Sequence, residues 1–421
     1  MKQRAVVILQ IACILLTLHV PSNAQVLWVG GSYMEQLRRA EAALPSLAAD
    51  ANIQPPGSET GTALRKASSA FQKLGNWRAF VGDHDGAIAA YDFQRTRPPH
   101  LKGKAADLQA IDEAVADDAI QAIVAEARTK RVVLLNEAHN ISMHRAFAQK
   151  LAAELRKIGY GYLAAETFRN DDGPVPPSTY VGLTSGFFTL DPVFAGFVNS
   201  AIADGWKLVS YEHGTQDVTG SFAERIAARE TGQARNLVDR IFSKDKEARV
   251  LIFVGYGHLY KSPNGAAPVM MGEHLRRMTG LDMLHVDQTH FFAHPKREDE
   301  SPLYEALLAK ASGKNAPFTL RAKDGTYPIL EGMGGRVDMQ VVFPRYAIQF
   351  GRPEWLGTLA GRAPRDIPPG LLPKTGRRLV MAYRKSDGPD AVPADNVLVE
   401  AGKPVPKLML PKGEFRIAVE D

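Results

Sequence analysis

Apolar residues along this chain alternate between helical spacing and short unbroken runs. Leu108, Ile111, Val115, Ile120 and Ile123 keep near-helical spacing, which predicts one helix over Ala105 to Thr129. The run RVVLLN at Arg131 to Asn136 predicts a buried strand. His144 to Ile158 reads as a helix with Phe147, Leu151, Leu155 and Ile158 on one face, stopped by Gly159. The same alternation continues with a strand at Gly161 to Glu166, a helix at Pro192 to Asp204 and a strand at Trp206 to Tyr211. A helix at Ser221 to Phe242, a strand at Arg249 to Val254, a helix at Glu273 to Thr279 and a strand at Asp282 to Asp287 complete it. Strands separated by helices imply crossover connections, hence an α/β fold: a mainly parallel sheet with helices on both faces.

The flanks differ in pattern. Before the sheet region, Phe71, Leu74, Gly75, Gly82, Ala87, Tyr91 and Pro99 approximate the spacing of a tetratricopeptide repeat, with the aromatic between the glycines displaced to Trp77. Only one copy is present, and a stable array needs about three. A helical hairpin packed on the next domain and a partner-binding repeat therefore stand side by side. The segment NIQPPGSETG, Asn52 to Gly61, reads as a loop. After about Ala316, MQVVFPRYAIQF, RRLVMAYR, NVLVEAG and GEFRIAVE are β-type segments among Pro/Gly-rich loops, which predicts a small antiparallel β domain. The expected division is 1–24, 25–104, 105–315 and 316–421.

The first of these segments changes how composition is read. In MKQRAVVILQIACILLTLHVPSNA, two cations precede an apolar stretch from Ala5 to Leu18, and small residues lead to Ala24. This is the pattern of a secretory signal, so the protein is expected to be exported, periplasmic or secreted. No later segment reaches the roughly 20 apolar residues of a membrane span. Of 421 residues, 51 are Lys or Arg and 46 Asp or Glu; losing Lys2 and Arg4 lowers the net charge from +5 to +3. So small an excess gives no reason to expect nucleic acid as a partner. The single Cys, Cys13, lies in the same segment. Its removal leaves no disulfide, thiolate nucleophile or Cys-ligated metal.

The chain has no G-x-S-x-G elbow, no phosphate-binding G-x-x-x-x-G-K-[ST], no H-E-x-x-H and no G-x-G-x-x-G after its first strand. The chemistry that remains is positional. The first strand runs into Glu137 and His139, the second ends at Glu166, the third at Glu212 and His213, and the fourth in Gly255-Tyr256-Gly257-His258. Ligands of open parallel sheets bind outside the carboxyl ends of the strands. Glu and His are thus expected at one edge, with His144 in the first turn of the next helix facing the same crevice. Such a set suits zinc or manganese, with Glu137, His139, Glu166 and His258 as ligands. Without metal it could orient a water, one His taking its proton while a carboxylate fixes the imidazole tautomer. Both routes lead to hydrolysis of a small-molecule or peptide substrate, with Glu137, His139, His144, Glu166 and His258 as the catalytic set.

These motifs resemble the ChaN-like, Tiki and erythromycin-esterase superfamily from about Arg131 to Gln288. The shared features are a first-strand motif close to G-E-x-H (Glu137, His139), a Glu ending the second strand (Glu166), and a later G-x-x-H (Gly255, His258). HNISMHRAF is similar to the family's His-containing start of the first helix, which points to His144. GRPEWL and LMLPKGEF resemble tails attached to some ChaN-like members. Asn136 departs from the family, standing where Gly is usual; Asn tolerates left-handed backbone next best, which would let the turn survive. The resemblance implies three activities: metal-dependent peptidase, ester hydrolase, or haem binding in iron uptake. For haem, Tyr256, His258 and Tyr260 supply the axial candidates. The hydrolase is the first reading and the haem or small-ligand protein the alternative.

Overall fold

The computed structural model describes residues 31–50, 61–93, 103–170, 175, 179–214, 218–262 and 268–421. The expected signal with Cys13, residues 52–60 of the loop expected over Asn52 to Gly61, and Pro99 lie outside them, while Gly61 is helical. Among the described residues no helix is long and apolar enough to cross a membrane.

Three helices come first: α1 (Tyr33–Asp50), α2 (Gly61–Phe80) and α3 (His84–Asp92). There follow α4 (Ala105–Glu113), β1 (Val115–Asp118), α5 (Ala119–Ala127), β2 (Val132–Glu137), α6 (Ser142–Lys157), β3 (Tyr162–Ala165) and α7 (Pro192–Ala203). The alternation continues with β4 (Lys207–Ser210), α8 (Phe222–Leu237), β5 (Val250–Gly255), α9 (Met271–Thr279), β6 (Met283–Phe291) and α10 (Tyr304–Lys310). Two strands, β7 (Phe318–Arg321) and β8 (Met339–Val342), complete an eight-stranded sheet ordered β1-β7-β8-β6-β2-β5-β3-β4. The run from β8 to β4 is parallel; β7 is antiparallel to both its neighbours.

Side-chain alternation explains the two covered faces. Val133, Leu135, Leu251, Phe253, Leu284 and Val286 pack on one side with α5, α6 and α7. Val132, Leu134, Val250, Ile252 and Met283 pack on the other with α8 and α9. Both faces need apolar residues, which is why these strands read as unbroken apolar runs.

Two expected elements resolve differently. The single helix over Ala105 to Thr129 is broken by β1, which pairs with β7. The Asp118 side chain accepts the Gln121 N–H and starts α5 afresh, so the apolar series belongs to two helices. The MQVV segment, read as part of the β tail, is β8 and lies parallel to β6 in the main sheet. What remains is antiparallel as expected. The β9 (Ile348–Gln349) and β10 (Arg352–Pro353) hairpin leads to α11 (Trp355–Thr358) and β11 (Ala363–Arg365). Beyond these, β12 (Arg377–Arg384) lies between β13 (Asp395–Glu400) and β15 (Phe415–Glu420), while β14 (Leu408–Leu410) pairs with β11.

The N-terminal hairpin closes tightly: a Cβ on Gly75 would lie 2.5 Å from the Tyr91 ring. Its inner face is occupied by the protein itself. Trp77 and Phe80 meet Phe187 edge-on, and Asn140 and Asn396 donate to the Ala87 and Phe80 carbonyls. Helix α1 is tied to the far end of the sequence, with the Met34 N–H donating to Glu420 and Arg38 to the Asp421 carbonyl, each at 2.9 Å.

Candidate active site at the carboxyl edge of the sheet

Parallel register puts Glu137 of β2 beside Gly255 of β5, and Glu166 follows β3 on the far side of β5. The Glu137 carboxylate takes two kinds of partner. Its Oε1 lies 2.9 Å from His139 Nδ1, and Arg145 of α6 reaches Oε2 at 2.6 Å and Oε1 at 2.9 Å. Arg145 is fully buried and also donates to Asp191 at 2.7 Å and to the His139 carbonyl at 2.8 Å. Burial pushes the Glu137 carboxyl up, but Arg145 and His139 outweigh it and hold it below its ordinary value. The anionic carboxylate therefore fixes a proton on Nδ1 of His139 and leaves Nε2 as the basic atom. Phe188 stacks on that ring at 3.9 Å, and Tyr256 meets it edge-on at 5.1 Å.

Gly255 is what lets the two halves of the site meet. A Cβ there would lie 2.6 Å from His139 Nε2 and 3.0 Å from Glu166 Oε2. The Gly255 N–H itself donates to Glu166 Oε2 at 2.7 Å. The next residue, Tyr256, carries a left-handed φ of 43° and donates its N–H to the Glu137 carbonyl at 2.8 Å. The strain sits beside the imidazole, where backbone strain commonly serves function.

A second guanidinium organises the other half. Arg229 of α8 donates to Glu166 at 2.5 Å, to both oxygens of Glu212, and to His258 Nε2 at 3.0 Å. His258 Nδ1 lies 2.6 Å from Glu230, whose other oxygen accepts the Met271 N–H. Glu230 thus holds a proton on Nδ1 of His258, while Arg229 and Glu166 flank Nε2. Glu166 is lifted by burial but pulled well below the usual carboxylate range by His258 and Arg229.

The sequence expectations meet this geometry unevenly. Glu137, His139, Glu166 and Glu212 come together at one edge. His213 leaves it and packs on Gly232, beside a groove of about 500 Å³ along α8 that includes Thr231, Arg235 and Asp239. His144, expected to face the crevice as one of the catalytic set, is fully buried between Phe292 and Phe343, and its Nδ1 accepts the Ala138 N–H at 3.1 Å. Burial drives its pKa down to about 3, so it braces the turn as a neutral ring. Asn136 adopts no left-handed turn; it is a residue of β2 with its amide inside the sheet.

The metal and haem assignments fit poorly. Guanidinium donors already hold the carboxylates of Glu137, Glu166 and Glu212. Among the described residues no group of three or more His, Cys, Asp or Glu is placed to hold a metal ion. Nδ1 of His258 faces Glu230 and Nε2 faces Arg229, so a metal or haem iron at His258 would have to displace one of them. Tyr260 belongs to the buried core on the α8–α9 face of the sheet, whereas Tyr256 packs on the opposite core. The two tyrosines do not frame one apolar pocket.

Sequence reasoning missed Arg145, Arg229, Glu230 and Asp191. A signal existed: Arg145 lies among apolar positions of α6, and Glu230 and Gln233 share the buried side of α8 with Ile226, Ala234 and Leu237. Asn136 serves the sheet and not a turn. Its Nδ2 donates to Asp287 at 2.6 Å and the Tyr256 carbonyl at 2.8 Å, and its Oδ1 accepts the Gln288 N–H at 2.8 Å. One amide thus ties β2 to β6 and to the turn after β5. Asn136→Gly is expected to lower stability by roughly 3 kcal/mol, from orphaned buried groups plus glycine entropy. Urea unfolding measures it, and a midpoint unchanged from the parent would show the amide to be dispensable.

No family model matches the chain, and no curated protein matches it. Two solved structures described as bacterial protein toxins share 13% and 16% identity with it, each at a TM-score of 0.30. The alignments cover 61% of this chain and 57% of each of those chains, so the chain matches little more than half their length. Likeness at that level transfers neither fold nor activity.

Proposed function

We propose that this protein is a hydrolase of the kind the erythromycin-esterase resemblance implies, in which the Glu137–His139 pair activates water without a metal. The observation that carries this reading is the placement of His139 Nε2 beside Glu166 across Gly255, with Nδ1 held by Glu137. Water held at Nε2 gives up a proton to the imidazole as its oxygen attacks the substrate carbonyl. Glu137 stabilises the imidazolium that forms, as the carboxylate of an acid–imidazole pair does. Arg229 has five N–H donors, four of them in the hydrogen bonds above; the last, on Nη1, can face the developing oxyanion. The proton on Nε2 then passes to the leaving oxygen or nitrogen. The exported location expected from the sequence would place this chemistry outside the cytoplasm.

The test is a panel of aryl esters, lactones and short peptides. His139→Asn should lower kcat/KM on any substrate turned over by roughly 10²- to 10⁴-fold, the range for losing a general base. Full activity in His139→Asn, or no turnover of the whole panel by the parent protein, would end this reading.

A further inference from the structure

We propose that the tip formed by Ile348, Phe350 and Val405 docks on an anionic lipid bilayer. These are among the large apolar side chains most open to solvent, at 56%, 50% and 46% exposure. They come from two loops that touch: the Lys407 N–H donates to the Phe350 carbonyl at 2.9 Å, and a Cβ on Gly351 would lie 2.9 Å from Pro406 Cβ.

The turn chemistry shows that Phe350 is held out at a cost. Register in the β9–β10 hairpin leaves Phe350 and Gly351 as its two central residues, with φ of 55° and 70°. Two left-handed central residues define a turn that Asn-Gly fills with least strain. A Phe in the Asn position is both conformationally strained and half exposed, so neither folding nor solubility accounts for it. The base beneath is rigid: Arg352 is buried and makes two bonds of 2.9 Å to Asp395.

Charge identifies the occupant. Lys407 lies 4.9 Å from the Phe350 ring centre, Arg365 is exposed opposite Leu408, and Lys374 and Lys403 are exposed on adjoining turns joined by an Ala401–Gly376 hydrogen bond. The nearby carboxylates are Glu354, bonded by Gln349, Asp366, paired with Lys407, and Glu400, opposite Arg377, fewer than the cations around them. Apolar side chains at a cationic rim are the composition of an interfacial anchor. A standard protein interface buries about 800 Å² on each partner, which three half-exposed side chains on a hairpin tip do not supply.

The purified protein should sediment with phosphatidylglycerol–phosphatidylcholine vesicles and not with phosphatidylcholine vesicles alone, and raised salt should weaken the binding. Phe350→Asn and Ile348→Ser should each weaken vesicle partitioning roughly tenfold, as removal of one buried apolar anchor does. Phe350→Asn restores the low-strain turn, so its Tm should stay level or rise, which separates lost docking from lost folding. Vesicle binding by Phe350→Asn equal to the parent, or no binding of the parent to the anionic vesicles, would overturn the proposal. So would a concentration-dependent dimer in ultracentrifugation that Phe350→Asn abolishes, which would assign the tip to a second copy of the chain.

Discussion

Arg145→Met is expected to destabilise the protein by roughly 3–5 kcal/mol, the usual cost of stranding buried charges. Arg145 is the cation shared by Glu137 and Asp191, and all three side chains are within a few per cent of complete burial. Asp191 also starts α7, its Oδ1 accepting the Val193 N–H at 2.8 Å. Burial alone would lower the Arg145 pKa, yet Glu137 and Asp191 raise it above its ordinary value, so the guanidinium stays charged. Met fills similar volume but leaves two carboxylates without a counterion. Arg145→Lys should fall between parent and Met, because an ammonium keeps the charge and loses the planar fork that spans Glu137. Urea midpoints of the three proteins give the order directly. Pairing Arg145→Met with Glu137→Gln should cost less than the two changes summed, since the second removes a charge the first strands. A Met variant as stable as the parent would mean that the buried ion pairs contribute nothing net.

Stability should also fall steeply in mild acid. Burial holds His144 at about 3 and His285, whose Nδ1 bonds the Leu259 carbonyl, at about 4. Both rings are neutral in the folded state, whereas the unfolded chain takes up a proton on each below about pH 6.5. The contribution of each is therefore complete above pH 6.5 and is lost as pH falls toward its folded value. The limiting slope is about 1.4 kcal/mol per pH unit for each histidine, so several kcal/mol are lost by pH 4. The carboxylates act lower down. Asp287, lifted by burial but lowered to about 2 by His290, Asn136 and Thr289, contributes fully above about pH 4 and loses that progressively as pH falls from there through its folded value. His258 has the opposite sign. Its pKa is lowered by burial but raised overall by Glu230 and Glu166, so its contribution fades as pH rises through that value. His144→Asn keeps an acceptor for the Ala138 N–H and removes one titrating ring. It should flatten the unfolding midpoint between pH 6.5 and 4.5 by about one proton's worth of slope; an unchanged slope would assign the acid sensitivity elsewhere.

Much of this arrangement was legible in the sequence, for reasons that can be named. Strands buried on both faces must be apolar throughout, so RVVLLN and RVLIFV marked β2 and β5, and polar residues just past them had no packing use. That logic found Glu137, His139 and Glu166. It could not find their partners. Arg229 comes from a helix, where an arginine at one position of a polar-and-apolar pattern reads as a solvated face, and Arg145, although set among apolar residues, carries no spacing that names Glu137 and Asp191 as its partners. It also misjudged His144 and His258, because the side on which a ring nitrogen is occupied depends on Ala138, Glu230 and Arg229, none of which is fixed by spacing. Val115–Asp118 escaped because two short helices with matching apolar phase look like one, and Met339–Val342 because a strand's partner lies outside its own sequence.

The bond between Met34 and Glu420 joins groups 386 residues apart. As the chain is made, α1 appears long before β15, the strand that anchors it. Tyr33 meets Trp77 of α2 and the Leu190 carbonyl earlier, but the Met34 N–H has to wait for Glu420. Contacts of such long range form late and slowly, and the waiting segment is open to wrong partners meanwhile. The order of synthesis thus leaves α1 packed on α2 but unfastened at its Met34 N–H until β15 has formed.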